Sequence, residues 1–268
     1  MSVYSIVFSP TGGTEKVMEI LEKEFRAEKR FDLTMESDYG HIRFGEEDIC
    51  LIGVPSYGGR VPQIAVERIR TLKGNRARVI PVVVYGNRAY EDTLLELKNE
   101  AESCGFRTSG AVAAVAEHSI MHQFGAGRPD AEDEKELRQF AQTIQCRMNE
   151  KQENKTVNEA GKEIMDNAAD ESVQVPGNFP YREYGVLPLR PKANKKCRQC
   201  GLCAARCPAG AIPKENPSVT DEKKCITCMR CVEICPEHAR GVSRILLSAA
   251  SQKLKKACAG RKKNELLI

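Results

Sequence analysis

Cys197-Arg-Gln-Cys200-Gly-Leu-Cys203-Ala-Ala-Arg-Cys207-Pro208 returns as Cys225-Ile-Thr-Cys228-Met-Arg-Cys231-Val-Glu-Ile-Cys235-Pro236, with 17 residues between Cys207 and Cys225. Both copies have the spacing C-x2-C-x2-C-x3-C-P. Zinc is satisfied by four ligands, usually two C-x2-4-C pairs, and has no use for a third and fourth cysteine at this spacing. Disulfides need an oxidising compartment, which nothing else in the sequence supports. Three closely spaced cysteines can instead wrap a short loop around three irons of a cubane. The fourth then starts a helical turn that carries it away.

Residues 190–245 resemble the bacterial-type ferredoxins that bind two [4Fe-4S] clusters. The resemblance implies crossed ligation. Cys197, Cys200, Cys203 and Cys235 hold one cluster, and Cys225, Cys228, Cys231 and Cys207 the other. Pro208 and Pro236 turn the chain away after the remote ligands.

The chain has 268 residues and 12 cysteines, so eight are assigned and four remain. Cys50, Cys104, Cys146 and Cys258 lie far apart in apolar or helical contexts and are read as buried small hydrophobes or idle thiols. The N-terminus shows no basic and apolar leader, and no run reaches the ~18–20 apolar residues of a membrane span. The expected setting is a reduced, anaerobic cytoplasm. Residues 186–268 carry 18 Lys/Arg and 6 Asp/Glu, a net +12, against −8 for residues 1–185. Basic side chains around Lys192–Arg206 offset anionic clusters and do not require nucleic acid.

Ahead of the cysteines, strand-like and helix-like runs alternate. Residues 3–8 read as a strand that enters Ser9-Pro-Thr11-Gly12-Gly13-Thr14. A helix from Glu15 to about Lys29 follows, with Val17, Ile20, Leu21 and Phe25 at helical spacing. A glycine- and hydroxyl-rich loop at a helix N-terminus seats a phosphate; without a Gly-Lys-[Ser/Thr] it is not a Walker A loop. The bland alternative is a tight strand–helix turn. Further strands are expected near 30–34, at 48–54 as a continuous apolar run, at 79–85 and at 111–116. Helices are expected at 63–72, 91–104 and 130–150. Pro81 fits a strand start or a bulge better than a central strand.

This alternation predicts an α/β fold with a doubly wound, five-stranded parallel sheet. In the order 2-1-3-4-5, ligands bind beyond the carboxyl ends of the strands, where the loops after Phe8, Val54 and Tyr85 emerge. Residues 1–150 here resemble the flavodoxin family. That resemblance implies bound FMN, with Ser9, Thr11, Gly12, Gly13 and Thr14 at its phosphate. Pro55, Ser56, Tyr57, Gly58, Gly59, Gly86, Asn87, Arg88 and Tyr90 then surround the flavin, with Tyr57 and Tyr90 against its faces. The chain departs from electron-carrying flavodoxins in having no tryptophan and in placing Arg60 and Arg88 near the presumed flavin rim.

Residues 117–129 read as a flap over the same edge, with His118 and His122 as proton donors or as structural histidines. Residues 151–187 form a helical then extended linker with prolines at 176 and 180. Residues 188–268 form a small α+β two-cluster ferredoxin domain with a basic C-terminal tail, read as a solvated helix face or as a surface for an acidic redox partner. Two functions follow. In the first, single electrons pass between the clusters and FMN, which pools two of them, and the partners are redox proteins. In the second, the chain is an FMN/iron–sulfur oxidoreductase that reduces a small-molecule acceptor. A monomer and a homodimer are equally compatible with the sequence.

Overall fold

The computed structural model describes residues 1–153, 173–185 and 188–268. Its first half alternates strands and helices: β1 (Val3–Val7), α1 (Gly13–Phe25), β2 (Lys29–Asp32), β3 (Ile49–Pro55), α2 (Gln63–Ile69), β4 (Arg78–Tyr85), α3 (Thr93–Ser103), β5 (Arg107–Thr108), β6 (Ala111–Val115) and α4 (Ala131–Glu153). The cysteine-rich half holds β7 (Lys192–Ala193), α5 (Leu202–Ala205), α6 (Arg230–Glu233), β8 (Arg240–Gly241), α7 (Arg244–Leu254) and β9 (Glu265–Leu267).

β2-β1-β3-β4-β6 form a parallel sheet, which is the flavodoxin-like order 2-1-3-4-5. Alternate side chains of each strand enter opposite cores. On one face Ile6, Ile52, Val54, Val79 and Val83 meet Ala65 and Ile69 of α2 and Leu94 and Leu97 of α3. On the other face Leu51, Ile80, Val82 and Val112 meet Val17, Met18 and Leu21 of α1 and Leu137 and Ile144 of α4. Burial on both faces explains the continuous apolar run of β3. A Cβ on Gly53 would meet the Met18 sulfur at 2.4 Å, so the missing side chain lets α1 lie close to the sheet.

Pro81 lies inside central β4, paired with Ile52, and not at the strand start. Its neighbours explain this. Val79 accepts from Ser109 N and Tyr85 from Ala116 N, so odd-numbered residues of β4 address β5 and β6. Pro81 therefore faces the break between those two strands, where its missing N–H costs no ladder bond.

Two strands were not foreseen. β5 continues the line of β6 at its start, and β9 adds an antiparallel strand to the outer edge of β6. The C-terminus is thus no free tail. Asn264 Oδ1 accepts from Val115 N at 2.9 Å, and its Nδ2 donates to Asp133 Oδ1 at 2.9 Å and Glu136 Oε2 at 2.7 Å. Arg261 pairs with Asp130 at 2.6 Å and with Asp133 at 3.1 Å. Most of the expected linker 151–187 lies outside the described residues. Its described part, 173–185, is pinned to the sheet domain: Asp92 accepts from Asn178 N and Arg182 N, at 2.9 and 2.8 Å.

Asn264→Ala strips the buried Val115 N–H of its acceptor. Equilibrium urea unfolding of the anaerobic protein should show a loss of about 1–3 kcal/mol. Lys263→Ala, at an exposed side chain, should stay within about 0.5 kcal/mol of the parent.

Candidate functional site

Gly12, whose φ of 82° is left-handed, caps the start of α1. Ser9 fixes the loop from both sides: its N–H donates to Thr34 Oγ1 at 2.8 Å, and its Oγ accepts from Glu15 N at 2.9 Å. The hydroxyl hydrogen of Ser9 remains available, and the first N–H groups of a helix have no partner within it. Ser9, Thr11, Gly13 and Thr14 line a cavity of about 320 Å³ at the carboxyl edge of the sheet. Pro55, Ser56, Tyr57 and Gly58 line it after β3, Gly86 after β4, and Ala116–Ile120 after β6.

Five of the residues expected at the cofactor do not line this cavity. Gly12 sits behind the loop as its left-handed pivot. Gly59 is buried against Glu91 and Arg182, which form an ion pair. Arg88 is held by Glu91 at 2.8 Å. Asn87 Nδ2 donates to the carbonyls of Cys258 and Gly260, at 2.8 and 2.9 Å. Tyr90 is buried, its ring centroid 5.3 Å from that of Tyr85 and its hydroxyl 2.7 Å from Glu265 Oε2. The returning C-terminal segment captures Asn87 and Tyr90; without β9 in view, the sequence leaves both side chains unclaimed.

The arginine at 60 is also spent elsewhere. It makes two bonds to Glu96, at 2.8 and 2.7 Å, and lies 4.2 Å from the ring centroid of Tyr184 and 5.0 Å from that of Tyr181. Positive charge reaches the cavity instead from the cysteine-rich half, through Arg190, Lys223 and Lys224. Tyr184 and Gly185 complete the wall.

The segment 117–129 is no loose flap. Met121 and Phe124 are buried with Leu189 and Cys258. His122 is exposed, 2.7 Å from Glu117. His118 is different. It packs so close to Gly86 that a Cβ there would meet its ring at 2.8 Å. Its Nδ1 accepts from Ile120 N and Met121 N, at 3.1 and 3.3 Å. Burial drives its pKa down to about 4. The ring is therefore neutral at physiological pH, with the proton on Nε2.

The cysteines form two sets. Cys207, Cys225, Cys228 and Cys231 line one small cavity with Pro191, Ile212 and Met229. The thiol of Cys228 is pushed up to about 12 by burial, with Cys231, Cys207 and Cys225 adding to the rise. Ala211 N donates to Cys207 Sγ and Ala239 N to Cys235 Sγ, each at 3.3 Å. Among the described residues no three His, Cys, Asp or Glu side chains gather as around a single ion. Cys225 and Ile226 line the small cavity and the large one alike. The phenol of Tyr57 is raised well above its usual value by enclosure, and the neighbouring Cys228 pushes it the same way. Ile226 also packs against the core of the sheet domain.

Residues 191–236 match the 4Fe-4S dicluster domain. The sheet domain aligns with flavodoxins of known structure. That of Streptococcus pneumoniae TIGR4 is 21% identical, covers 54% of this chain and 99% of its own, and gives a TM-score of 0.40. The two-electron reduced Megasphaera elsdenii flavodoxin is 23% identical over 53% and 98%, with a TM-score of 0.37. Oxidised flavodoxin 1 of Bacillus cereus is 13% identical over 55% and 98%, with a TM-score of 0.38. The chain joins a parallel sheet of order 2-1-3-4-5 to a dicluster segment. The dicluster match supports iron–sulfur binding and an electron-transfer role. Among the described residues no helix is long and apolar enough to cross a membrane.

His118 sets a pH dependence. Its folded pKa of about 4 lies below the unfolded value of 6.5. As pH falls through the unfolded pKa, the unfolded chain takes a proton that the folded protein refuses, so stability is lost between those two values. Between pH 7.5 and 5.5 the native protein should lose about 1 kcal/mol more than His118→Gln, read as the difference in urea unfolding free energies.

Proposed function

We propose that the chain is an electron-transfer iron–sulfur flavoprotein with two [4Fe-4S] clusters and one FMN, and that it passes electrons between them within one molecule. The observation that carries this reading is the shared wall of the two cavities at Cys225 and Ile226. The clusters supply one-electron steps and the flavin pools two electrons.

Cys225, Cys228, Cys231 and Cys207 hold the centre beside the large cavity, and Cys197, Cys200, Cys203 and Cys235 the outer one. Ser9, Thr11 and Thr14 hold the phosphate with the N-terminal N–H groups of α1, helped by the field of Lys223 and Lys224. Tyr57 and Tyr184 supply aromatic surface to the isoalloxazine and displace water from it. Neutral His118 offers an Nε2–H donor. A neutral donor suits orientation of the flavin and does not act as a titrating acid at pH 7.

Cys200 is exposed, and Lys195, Lys196, Arg198 and Arg206 around it are exposed as well. An acidic redox protein fits that face, so electrons exchange with the partner at the outer centre and with the flavin at the inner one. The alternative, reduction of a small molecule at the flavin, draws on Lys223, Lys224 and His118 at the cavity mouth. It requires an anionic acceptor.

Acid extraction of the anaerobically purified protein should release FMN, and recovered FAD would refute the flavin assignment. Thr11→Ala with Thr14→Ala should lower flavin occupancy while iron and sulfide stay at the wild-type level, because each hydroxyl to a charged phosphate contributes roughly 1.5–3 kcal/mol. After partial reduction of the clusters, rapid-reaction spectroscopy should give a flavin reduction rate independent of protein concentration. A rate proportional to concentration means that electrons cross between molecules and not through the shared wall.

A further inference from the structure

The two cysteine runs repeat at a shift of 28 residues, from Cys197 to Cys225 and from Cys207 to Cys235. The backbone follows the same shift. α5 maps onto α6. Left-handed residues recur in register: Gln199 with Thr227, Gly201 with Met229, Gly210 with His238. The N–H to sulfur bonds of Ala211 and Ala239 are equivalent, both 3.3 Å. One step further the pattern breaks in chemistry but not in burial. Ile212 and its counterpart Arg240 are each 4% exposed.

A site that takes isoleucine in one repeat is a poor place for a guanidinium, unless an anion compensates its lost hydration. No carboxylate bonds to Arg240 among the described residues. Its Nη1 donates to Pro217 O at 2.6 Å and lies 3.8 Å from Cys203 Sγ. Its Nη2 donates to Pro191 O at 3.3 Å and to Thr220 Oγ1. Its Nε is buried with no acceptor. The guanidinium lies at the junction of the two cysteine sets, because Cys203, its sulfur neighbour, packs in one cluster with Cys207 and Cys231.

We propose that Arg240 is a counter-ion built into the junction of the two cysteine sets, where it stabilises the reduced state of the iron–sulfur centres and raises their reduction potentials. This rests on the reading that those eight cysteines carry two clusters. A [4Fe-4S] centre with four thiolates goes from about −2 to about −3 on taking one electron. A buried positive charge beside a thiolate of one centre and packed close to those of the other favours that gain in both, and electron entry into either centre meets less repulsion from the other. N–H donation to a ligating sulfur acts in the same direction.

The test is an EPR-monitored redox titration of the anaerobic holoprotein with dithionite, with iron and sulfide measured on the same samples. Arg240→Gln should load its clusters like wild type, and the potential of at least one should fall. Arg240→Lys, which keeps the charge, should stay nearer to wild type. The fall should persist at high salt, because a buried charge is not screened. Arg240→Met, apolar like the residue at 212, serves as a second neutral variant. Unchanged potentials in loaded Arg240→Gln or Arg240→Met overturn the proposal. So does failure of both to load, which would make Arg240 an assembly residue. Wild-type protein with iron for fewer than two cubanes would sink the two-cluster reading instead, before any potentials are compared.

Discussion

The outer edge of β6 governs the arrangement of the molecule. A strand edge presents unpaired N–H and C=O groups that have to be satisfied or shielded. Here β9 satisfies them, and it does so with the last residues of the chain. The cysteine-rich segment is therefore tied at both ends, through residues 173–185 docked on α3 and through β9 docked on β6. Closing that loop confines the cysteines to one side of the sheet, above the carboxyl ends where the loops of β1, β3 and β4 emerge. The large cavity is lined by residues of both halves, and neither half encloses it alone.

The contacts between halves are not a simple meeting of acid and base, despite the opposite net charges. Arg68 Nη2 donates to Pro208 O at 2.9 Å in a buried setting, and Arg230 Nη1 to Pro10 O at 3.0 Å. Both acceptors are backbone carbonyls of proline, each beside a functional loop. A guanidinium bonded to a fixed carbonyl holds a loop in register, and salt weakens it far less than an exposed ion pair. Arg261 with Asp130 and Asp133 supplies the ionic part. Long-range charge can bring the halves together; short bonds to carbonyls decide how they sit.

What could be read from the sequence follows from how local each signal is. The apolar runs of β3 and β4, the helical spacing of Val17, Leu21 and Phe25, and the glycine-rich loop at Ser9–Thr14 are local patterns, and each appears where expected to within a few residues. The cysteine spacing is local within each run; the crossed pairing came from the ferredoxin resemblance, and Cys207 lines one cavity with Cys225, Cys228 and Cys231. Several expected residues have side chains engaged by partners far away in the chain. Tyr90 bonds to Glu265, Asn87 to Cys258 and Gly260, and Arg60 to Glu96. Three residues of β9 carry no periodicity to announce a strand. Lys223 and Lys224 carry no local signal in the sequence, and docking of the halves brings them to the cavity. One signal was available and unused: Arg240 stands where the repeat calls for a second isoleucine.

On the reading proposed above, the fold also orders the redox groups. The inner cysteine set has Cys228 and Met229 buried and shares Cys225 with the cavity wall, while the outer set exposes Cys200. An incoming partner can approach the outer set without disturbing the flavin wall, and the flavin can be filled from the inner set without leaving the protein. Arg240 lies 3.8 Å from Cys203 of the outer set, which packs in one cluster with Cys231 of the inner one. It is thus the one buried cation positioned to act on both members of the relay among the described residues. A charge shared in this way shifts both potentials in the same sense. It moves the level of the relay against its partner and against the flavin, and leaves the step between the two centres comparatively small. That is the arrangement a one-electron relay needs if neither centre is to trap the electron.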